Sequence, residues 1–271
     1  MSILLNVENL QIETAGRSLV SGVSLSVGQG ERVGLIGESG SGKSLTALAI
    51  MGLLPDGMRA SGSITLDGHQ VIGARDRELV PLRGQSIATV FQEPMTALDP
   101  LMRIGKQVGL VVRRRALRDG RRIGQAEVNA EVHSLLERVS LPDPERIARS
   151  WPHEISGGQR QRAAIAMALA CRPKLLIADE PTTALDVTTQ SEILKLLEQL
   201  VRDEGMGLLF ISHDLPVVAT VTERALVLRH GKLIEEGPVA ALFNDPQQPY
   251  TQGLVAAARA FDAALEVARW H

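Results

Sequence analysis

A glycine-rich segment that ends in lysine and serine has the composition of a phosphate-binding loop. It matches the pattern G-x-x-x-x-G-K-[ST], follows an apolar run at Arg32–Ile36 and precedes an apolar helical stretch. Glycines let the backbone curve closely around phosphate oxygens, and the start of a helix adds partial positive charge. This strand, loop and helix context disfavours the alternative of an ordinary glycine-rich turn. Lys43 would contact the β- and γ-phosphates of a nucleotide, and the Ser44 hydroxyl would bind Mg2+. The predicted loop residues are Gly37, Glu38, Ser39, Gly40, Ser41, Gly42, Lys43 and Ser44.

Two adjacent carboxylates end a later apolar strand. The strand is predicted at residues 175–178, and Asp179 and Glu180 follow it, at the edge of the sheet where ligands of open α/β sheets bind. Adjacent residues of an extended chain point in opposite directions, so we expect different roles for the two. Asp179 would hold Mg2+ directly or through water, and Glu180 would accept a hydrogen bond from the water that attacks the γ-phosphate. The alternative is an acidic strand end that faces solvent.

A second helix start could also bind an anion. Ser156 is a favourable N-cap residue, and Gly157, Gly158 and Gln159 follow it. A protein with one phosphate loop has no obvious need of another such site. The serine and its three successors therefore require a different explanation.

The sequence resembles the ABC transporter ATPases, whose signature motif is this Ser-Gly-Gly-Gln arrangement just before the acidic strand. Further family motifs follow the same order, and the resemblance spans roughly residues 3–255. The matching residues outside the phosphate loop and the acidic strand are Gln92, Ser156, Gly157, Gly158, Gln159, Ala184, Leu185, Asp186 and His213.

The resemblance implies that two ATPase subunits pack head to tail around ATP. ATP bound by Lys43 and Ser44 of one subunit would be closed over by residues 156–158 of the other, so that hydrolysis weakens the dimer. His213 would contact the γ-phosphate and steady the attacking water together with Glu180. Gln92 would sense Mg2+ and that water, and Asp186 would cross the dimer seam.

Several segments are similar to one group within the family, the importers of dipeptides, oligopeptides and nickel. These segments are residues 91–100, 151–158 and 171–187, together with Pro249, Tyr250 and Thr251. The group implies a second, related ATPase subunit, two permease subunits and a solute-binding protein as partners. It also implies a peripheral location on the cytoplasmic face of the bacterial inner membrane. The cargo would be a peptide, nickel or a metal chelate.

The chain departs from the family at the adenine base. The family usually stacks an aromatic side chain on the base near the end of the first strand, but residues 11–18 contain no Phe, Tyr or Trp. Stacking contributes about 0.5 to 1.5 kcal/mol, so its loss would weaken nucleotide binding without abolishing it. The guanidinium of Arg17 is a candidate replacement.

The predicted fold is α/β, a P-loop NTPase core with a mostly parallel sheet, an N-terminal antiparallel β subdomain and a helical insertion. Alternating apolar strands and helices indicate the parallel sheet, and apolar positions at helical spacing indicate the insertion. The ABC ATPase domain would cover residues 1–255, with a RecA-like core at about 1–94 and 158–235. The helical subdomain would cover about 95–157, and a short helical tail 256–271.

Composition excludes several other classes of protein. The 271 residues carry 29 Lys and Arg against 31 Asp and Glu, and this balance argues against nucleic acid as a partner. No apolar run approaches the roughly 18 residues that a bilayer crossing needs. A single cysteine, Cys171, excludes an internal disulfide and a cysteine metal cluster. The N-terminus lacks the features of a signal peptide, so we expect the protein to stay in the cytoplasm.

The sequence disfavours two rival functions. A soluble ABC ATPase of DNA repair or translation usually carries long coiled coils or two ATPase halves, and neither pattern is present. A degenerate regulatory subunit would have lost part of the site, yet Lys43, Asp179, Glu180, Ser156 and His213 are intact.

A cluster of arginines lies inside the helical insertion. It is interpreted either as a solvated helix face and loop or, less favoured, as a surface near anionic lipid headgroups. Its members are Arg113, Arg114, Arg115, Arg118, Arg121 and Arg122.

Overall fold

The structure, a computed structural model, describes residues 2–183 and 185–268, with side chains up to residue 260. The chain forms two compact units. The first contains the residues up to Val80 and those from Gly205 onward, and the second is Pro81–Glu204. Within the described ranges, every helix is too short or too polar to cross a bilayer.

The strands are numbered in chain order. They are β1 (Ile3–Thr14), β2 (Arg17–Gly28), β3 (Arg32–Ile36), β4 (Met58–Leu66), β5 (His69–Gln70), β6 (Ile87–Val90), β7 (Leu175–Asp179), β8 (Gly207–Ser212), β9 (Arg224–Arg229) and β10 (Lys232–Pro238).

The helices are numbered in the same way, and a 3-10 turn at Pro152–Glu154 precedes α8. They are α1 (Lys43–Met51), α2 (Asp76–Leu79), α3 (Leu82–Gln85), α4 (Pro94–Ala97), α5 (Ile104–Arg118), α6 (Gln125–Arg138), α7 (Pro144–Arg149), α8 (Gly157–Ala170), α9 (Val187–Glu204), α10 (Leu215–Val221), α11 (Val239–Asn244) and α12 (Pro249–Ala268).

The first unit contains an antiparallel sheet and a set of parallel strands. The antiparallel sheet has the order β2-β1-β4-β5. Strand β3 pairs in parallel with β8 on one side and β9 on the other, and β10 pairs antiparallel with β9. All six residues of β8 are buried, which is typical of a parallel strand covered on both faces.

The second unit combines a parallel strand pair with helices. Strand β6 pairs with β7 from Ile87 opposite Leu175 to Val90 opposite Ala178. Helices α5, α6 and α7 pack together, and α8 packs against α5 and α6. Residues 175–178 are fully buried, so the acidic pair begins where the buried strand ends.

The structure confirms the predicted α/β fold, with its parallel strand pairs, antiparallel β sheet and helices between residues 95 and 150. Some element limits differ from the sequence pattern. Strand β7 includes Asp179 and so extends one residue beyond the predicted range 175–178. The proposed division into core and helical subdomain stays a prediction. Helix α12 reaches Ala268, and residues 269–271 of the predicted tail lie outside the described residues.

Arg115 corrects the interpretation of the arginine cluster as a solvated face. Its side chain is only 3% exposed, and its Nη2 donates to both carboxylate oxygens of Glu131 at 2.6 and 2.7 Å. Its Nη1 donates to the carbonyl oxygen of Ala170 at 3.0 Å, at the end of α8. Arg115 is therefore a structural residue that joins α5 to α6 and α8.

Replacement of Arg115 with Met should lower the free energy of unfolding by about 3 kcal/mol. It would leave Glu131 with only the longer contact to Arg172, at 3.4 Å, and would remove the donor to the carbonyl of Ala170. Urea denaturation of the two proteins measures the difference. Arg114→Met is the matched control, since Arg114 lies on the same helix and is exposed. We expect it to change stability by less than about 0.5 kcal/mol. Equal losses in the two variants would contradict the structural role of Arg115.

Candidate nucleotide site

The phosphate loop lies between the end of β3 at Ile36 and the start of α1 at Lys43. Gly40 and Gly42 have φ angles of 78° and 103°, a backbone region that favours glycine. A Cβ atom at Gly37 would lie 2.3 Å from the carbonyl oxygen of Leu228, so only glycine fits there. The glycines are therefore required by the path of the chain, as the motif predicts.

Lys43 folds back over its own loop. The residue is 4% exposed, and its Nζ donates to the carbonyl oxygens of Gly37 at 2.7 Å and Glu38 at 3.1 Å. Its ammonium group thus lies inside the curve of the loop, at the positive end of α1. This is the placement that an anion-binding lysine requires.

A buried hydroxyl in the same loop fits a phosphate ligand. Ser41 is 4% exposed, and its Oγ atom has no hydrogen-bond partner among the described residues. A buried hydroxyl without a partner costs roughly 1 to 3 kcal/mol, which a ligand oxygen would recover. The loop of the first unit therefore has the shape, the charge and a spare donor for phosphate.

The exposed Ser44 follows at the second position of α1, and its hydroxyl is a ligand type that Mg2+ accepts.

His213 lies at the same sheet edge as the phosphate loop. In the pairing of β3 with β8, Ile36 lies opposite Ser212, so Gly37 and His213 each follow a paired strand end. His213 is exposed, and Asp214 caps the next helix by accepting from the N–H of Val217 at 3.3 Å. The topology of the first unit thus supports the predicted proximity, while the role of His213 stays a prediction.

The acidic pair belongs to the second unit. Strand β7 ends at Asp179, and Glu180 has a φ of 47°, in the left-handed region. The expected reason for their separate directions was therefore wrong, because a turn and not strand alternation follows Asp179. The Thr183 hydroxyl donates to Oε2 of Glu180 at 3.1 Å. This hydrogen bond helps to orient the Glu180 carboxylate, a contact that the sequence pattern did not reveal.

Gln92 follows the neighbouring strand of the same unit. Strand β6 ends at Val90, which lies opposite Ala178, so Gln92 and Asp179 belong to the same edge of this strand pair. Gln92 is exposed, and the apolar side chains of Phe91 and Met95 beside it are 37% and 39% exposed. The exposed position of Gln92 is accessible to other molecules. Its predicted role at Mg2+ stays a prediction.

Ser156 forms the N-cap of α8 in a reciprocal arrangement. Its Oγ accepts from the N–H of Gln159 at 3.2 Å, and the N–H of Ser156 donates to Oε1 of Gln159 at 3.0 Å. Gln159, predicted as a nucleotide-binding residue, thus has a structural task in this capping box. Its direct contact with nucleotide stays a prediction.

Thr189 links this helix start to Asp186. A Cβ atom at Gly158 would lie 2.6 Å from Cγ2 of Thr189, so the two helices touch through the glycine backbone. The N–H of Thr189 donates to Oδ1 of Asp186 at 3.0 Å, and this hydrogen bond is the main cause of the lowered pKa of that carboxyl. The structure therefore brings Gly158 and Asp186 together within the second unit. Ala184 of the same motif lies outside the described residues.

Tyr250 is a residue near the phosphate loop that sequence reasoning missed. Its hydroxyl oxygen accepts from the N–H of Glu38 at 3.2 Å. The sequence pattern used Pro249, Tyr250 and Thr251 only as a mark of the importer group. The available signal was that the chain contains a single tyrosine within that segment.

The chain as a whole is similar to known proteins. The family described as ABC transporter matches residues 20–183. A Brucella ovis protein, provisionally named as a peptide import ATP-binding protein, is 46% identical over 98% of this chain and 80% of its own length. The oligopeptide transport ATP-binding protein OppD of Escherichia coli is 43% identical over 97% of this chain and 78% of its own length. The solved dimer of the ATP-binding cassette MJ0796, in a post-hydrolysis state with ADP and Pi, has a TM-score of 0.76 and 30% identity. That alignment covers 87% of this chain and 98% of the cassette chain.

Proposed function

Because this chain belongs to the ABC transporter family of ATP-hydrolysing proteins, we propose that it drives the import of peptides as the ATPase subunit of a transporter. The observation that carries the proposal is the phosphate loop, in which Lys43 is buried inside the curve and Ser41 offers a spare hydroxyl. The similarity to OppD, over nearly the whole chain, supports peptides as the cargo. No similarity described above favours nickel or a metal chelate.

Each part of the site has a defined chemical task in this proposal. Lys43 and the N–H groups of the loop bind the triphosphate and offset its charge. Glu180, oriented by Thr183, accepts a proton from the attacking water, and His213 steadies that water at the γ-phosphate. Ser44, Gln92 and Asp179 would hold Mg2+, which supplies charge neutralisation at the phosphates when it is bound.

The signature helix start acts on ATP of a neighbouring subunit. Ser156 and the two glycines begin α8, whose N-terminal end carries partial positive charge and favours an anion. The solved cassette with ADP and Pi is a dimer, which supports the pairing of two ATPase subunits. ATP in this arrangement stabilises the dimer, and loss of the γ-phosphate weakens it. Asp186 lies at the seam between the two subunits.

The remaining partners follow from the import function. We propose that the second ATPase is a related but different chain, and that two permease subunits hold the pair at the cytoplasmic face of the inner membrane. A solute-binding protein delivers the peptide. The names of the relatives, which describe peptide import and oligopeptide transport, support this assembly. A permease-independent role in DNA repair or translation is not favoured by any of these relatives.

Reconstitution of the complete complex in lipid vesicles tests the function. We expect peptide uptake that requires ATP, and ATP hydrolysis that rises when peptide-loaded binding protein is added. Vesicles with a non-hydrolysable ATP analogue are the control. Uptake of a nickel chelate without peptide uptake would contradict the cargo, and hydrolysis that is indifferent to the permeases would contradict the transporter role.

Charge at position 156 tests the shared site. Asp and Asn are both good N-cap residues, so Ser156→Asp and Ser156→Asn should preserve α8. Only the aspartate places a negative charge opposite a γ-phosphate. We expect Ser156→Asp to lower hydrolysis by the assembled complex about 100-fold, as for a like charge of about 3 kcal/mol, and Ser156→Asn to have a much smaller effect.

Binding of ATP to the isolated subunit separates the shared site from a site within one chain. Both variants should bind ATP as the wild type does, because residue 156 acts on the partner's nucleotide. Equal hydrolysis by the two variants, or weaker ATP binding to the isolated Ser156→Asp subunit, would contradict the head-to-tail geometry.

A further inference from the structure

The side chain of Tyr250 supports the phosphate loop from the first turn of α12. Its hydroxyl oxygen accepts from the N–H of Glu38 at 3.2 Å. The guanidinium of Arg229 lies over its ring, 4.6 Å from the ring centroid, within the range of a cation–π contact. Tyr250 therefore contacts both the loop and the end of β9.

The turn between β9 and β10 supports the other side of the same loop. The N–H of Gly231 donates to the carbonyl oxygen of Ser41 at 3.0 Å, and the carbonyl of Leu228 closes against Gly37. Arg229 belongs to this turn region. The phosphate loop is therefore held at two backbone groups: Tyr250 binds the N–H of Glu38, and Gly231 binds the carbonyl of Ser41.

The start of α12 is held to β10 by hydrogen bonds. Glu235 on β10 accepts from the N–H of Gln247 at 2.8 Å and of Gln248 at 3.2 Å. Burial opposes ionisation of Glu235, but hydrogen bonds that include these two lower the pKa of its carboxyl. Burial raises the pKa of the Tyr250 hydroxyl; the hydrogen bond from the Glu38 N–H opposes this shift, and the Glu38 carboxylate adds to it.

We propose that Tyr250 is a positioning residue for the phosphate loop, which holds the loop in its nucleotide-binding curve through the N–H of Glu38. The proposal rests on the proposed ATP-binding function. The hydrogen bond fixes the N–H of Glu38 before the ligand arrives, so the loop loses less freedom on binding. The contribution acts on binding and not on the chemical step.

Removal of the hydroxyl tests this role. Tyr250→Phe keeps the ring against Arg229 but loses the acceptor for Glu38. We expect the KM for ATP to rise about fivefold, the effect of one hydrogen bond, while kcat changes less than twofold. Arg259→Ala is the control, because Arg259 ties the same helix to the carbonyl of Phe243 at 2.7 Å. A similar rise in KM for Arg259→Ala would show only a loosened helix and would overturn the role of the hydroxyl.

The single tyrosine of the chain allows a spectroscopic test. Incorporation of 3-fluorotyrosine gives one 19F resonance, which should shift when ATP is added to the full-length protein and stay in place with AMP. If the 19F resonance does not shift with ATP and the KM for ATP is unchanged in Tyr250→Phe, the positioning role of Tyr250 is overturned. The ATPase function would remain intact. A wild-type protein that neither binds nor hydrolyses ATP would overturn the function and the inference together.

Discussion

The Glu180→Gln variant should hydrolyse ATP at least about 100-fold more slowly than the wild type and bind it with similar affinity. Glutamine keeps the size of the side chain and an oxygen that can accept from the Thr183 hydroxyl, which lies 3.1 Å from the carboxylate in the structure. It cannot take a proton from water. The variant should therefore accumulate as an ATP-bound closed dimer, which size-exclusion chromatography with ATP would detect.

Glu145→Gln is the control for this variant. Glu145 is a highly exposed carboxylate of the same unit, 71% accessible, and it pairs with Arg149 at 3.4 Å. Its neutralisation should leave hydrolysis unchanged. Turnover near the wild-type rate in Glu180→Gln would show that another group activates the water, and the assignment of Glu180 as the general base would be wrong.

The Lys43→Met variant should bind ATP about 100-fold more weakly, because it loses charged hydrogen bonds to the phosphates. Methionine keeps much of the buried side-chain volume, so the fold should survive. The Nζ of Lys43 lies 2.7 Å from the carbonyl of Gly37, and this contact shows that the ammonium is already inside the loop. Titration calorimetry with the isolated subunit measures the change in Kd.

Lys232→Met provides the matched comparison for Lys43→Met. Lys232 is exposed and follows Gly231, whose N–H donates to the carbonyl of Ser41 in the loop. It shares the neighbourhood of the loop without entering its curve, so we expect an unchanged Kd. A Kd for Lys43→Met within twofold of the wild type would contradict the proposed phosphate site.

Features that depend on neighbouring residues could be predicted from the sequence. The phosphate loop was found because glycine spacing and the adjoining strand and helix are local properties, and Gly40 and Gly42 have the positive φ angles expected there. The strand before the acidic pair was found because residues 175–178 are a short apolar run, and the structure buries all four. The α/β prediction rests on the same alternation.

Contacts between residues far apart in the sequence could not be predicted, and neither could the unusual backbone conformation of Glu180. Glu38 and Tyr250 are 212 positions apart, and no spacing rule relates them. The buried state of Arg115 depends on Glu131 and Ala170, which reach it only after α5, α6 and α8 have packed. The alternation rule assumed that Asp179 and Glu180 are both extended, but Glu180 has a left-handed conformation and lies outside the strand. The roles of Gln92, Asp186, His213 and residues 156–158 were inferred from the family resemblance and stay predictions.

The close contact between Gly158 and Thr189 has a mechanical consequence. Only 2.6 Å would separate a methyl group at position 158 from Cγ2 of Thr189, so the start of α8 cannot move closer to the start of α9. Any larger side chain at position 158 would push the two helix starts apart, and it would change the spacing between Ser156 on one and Asp186 on the other.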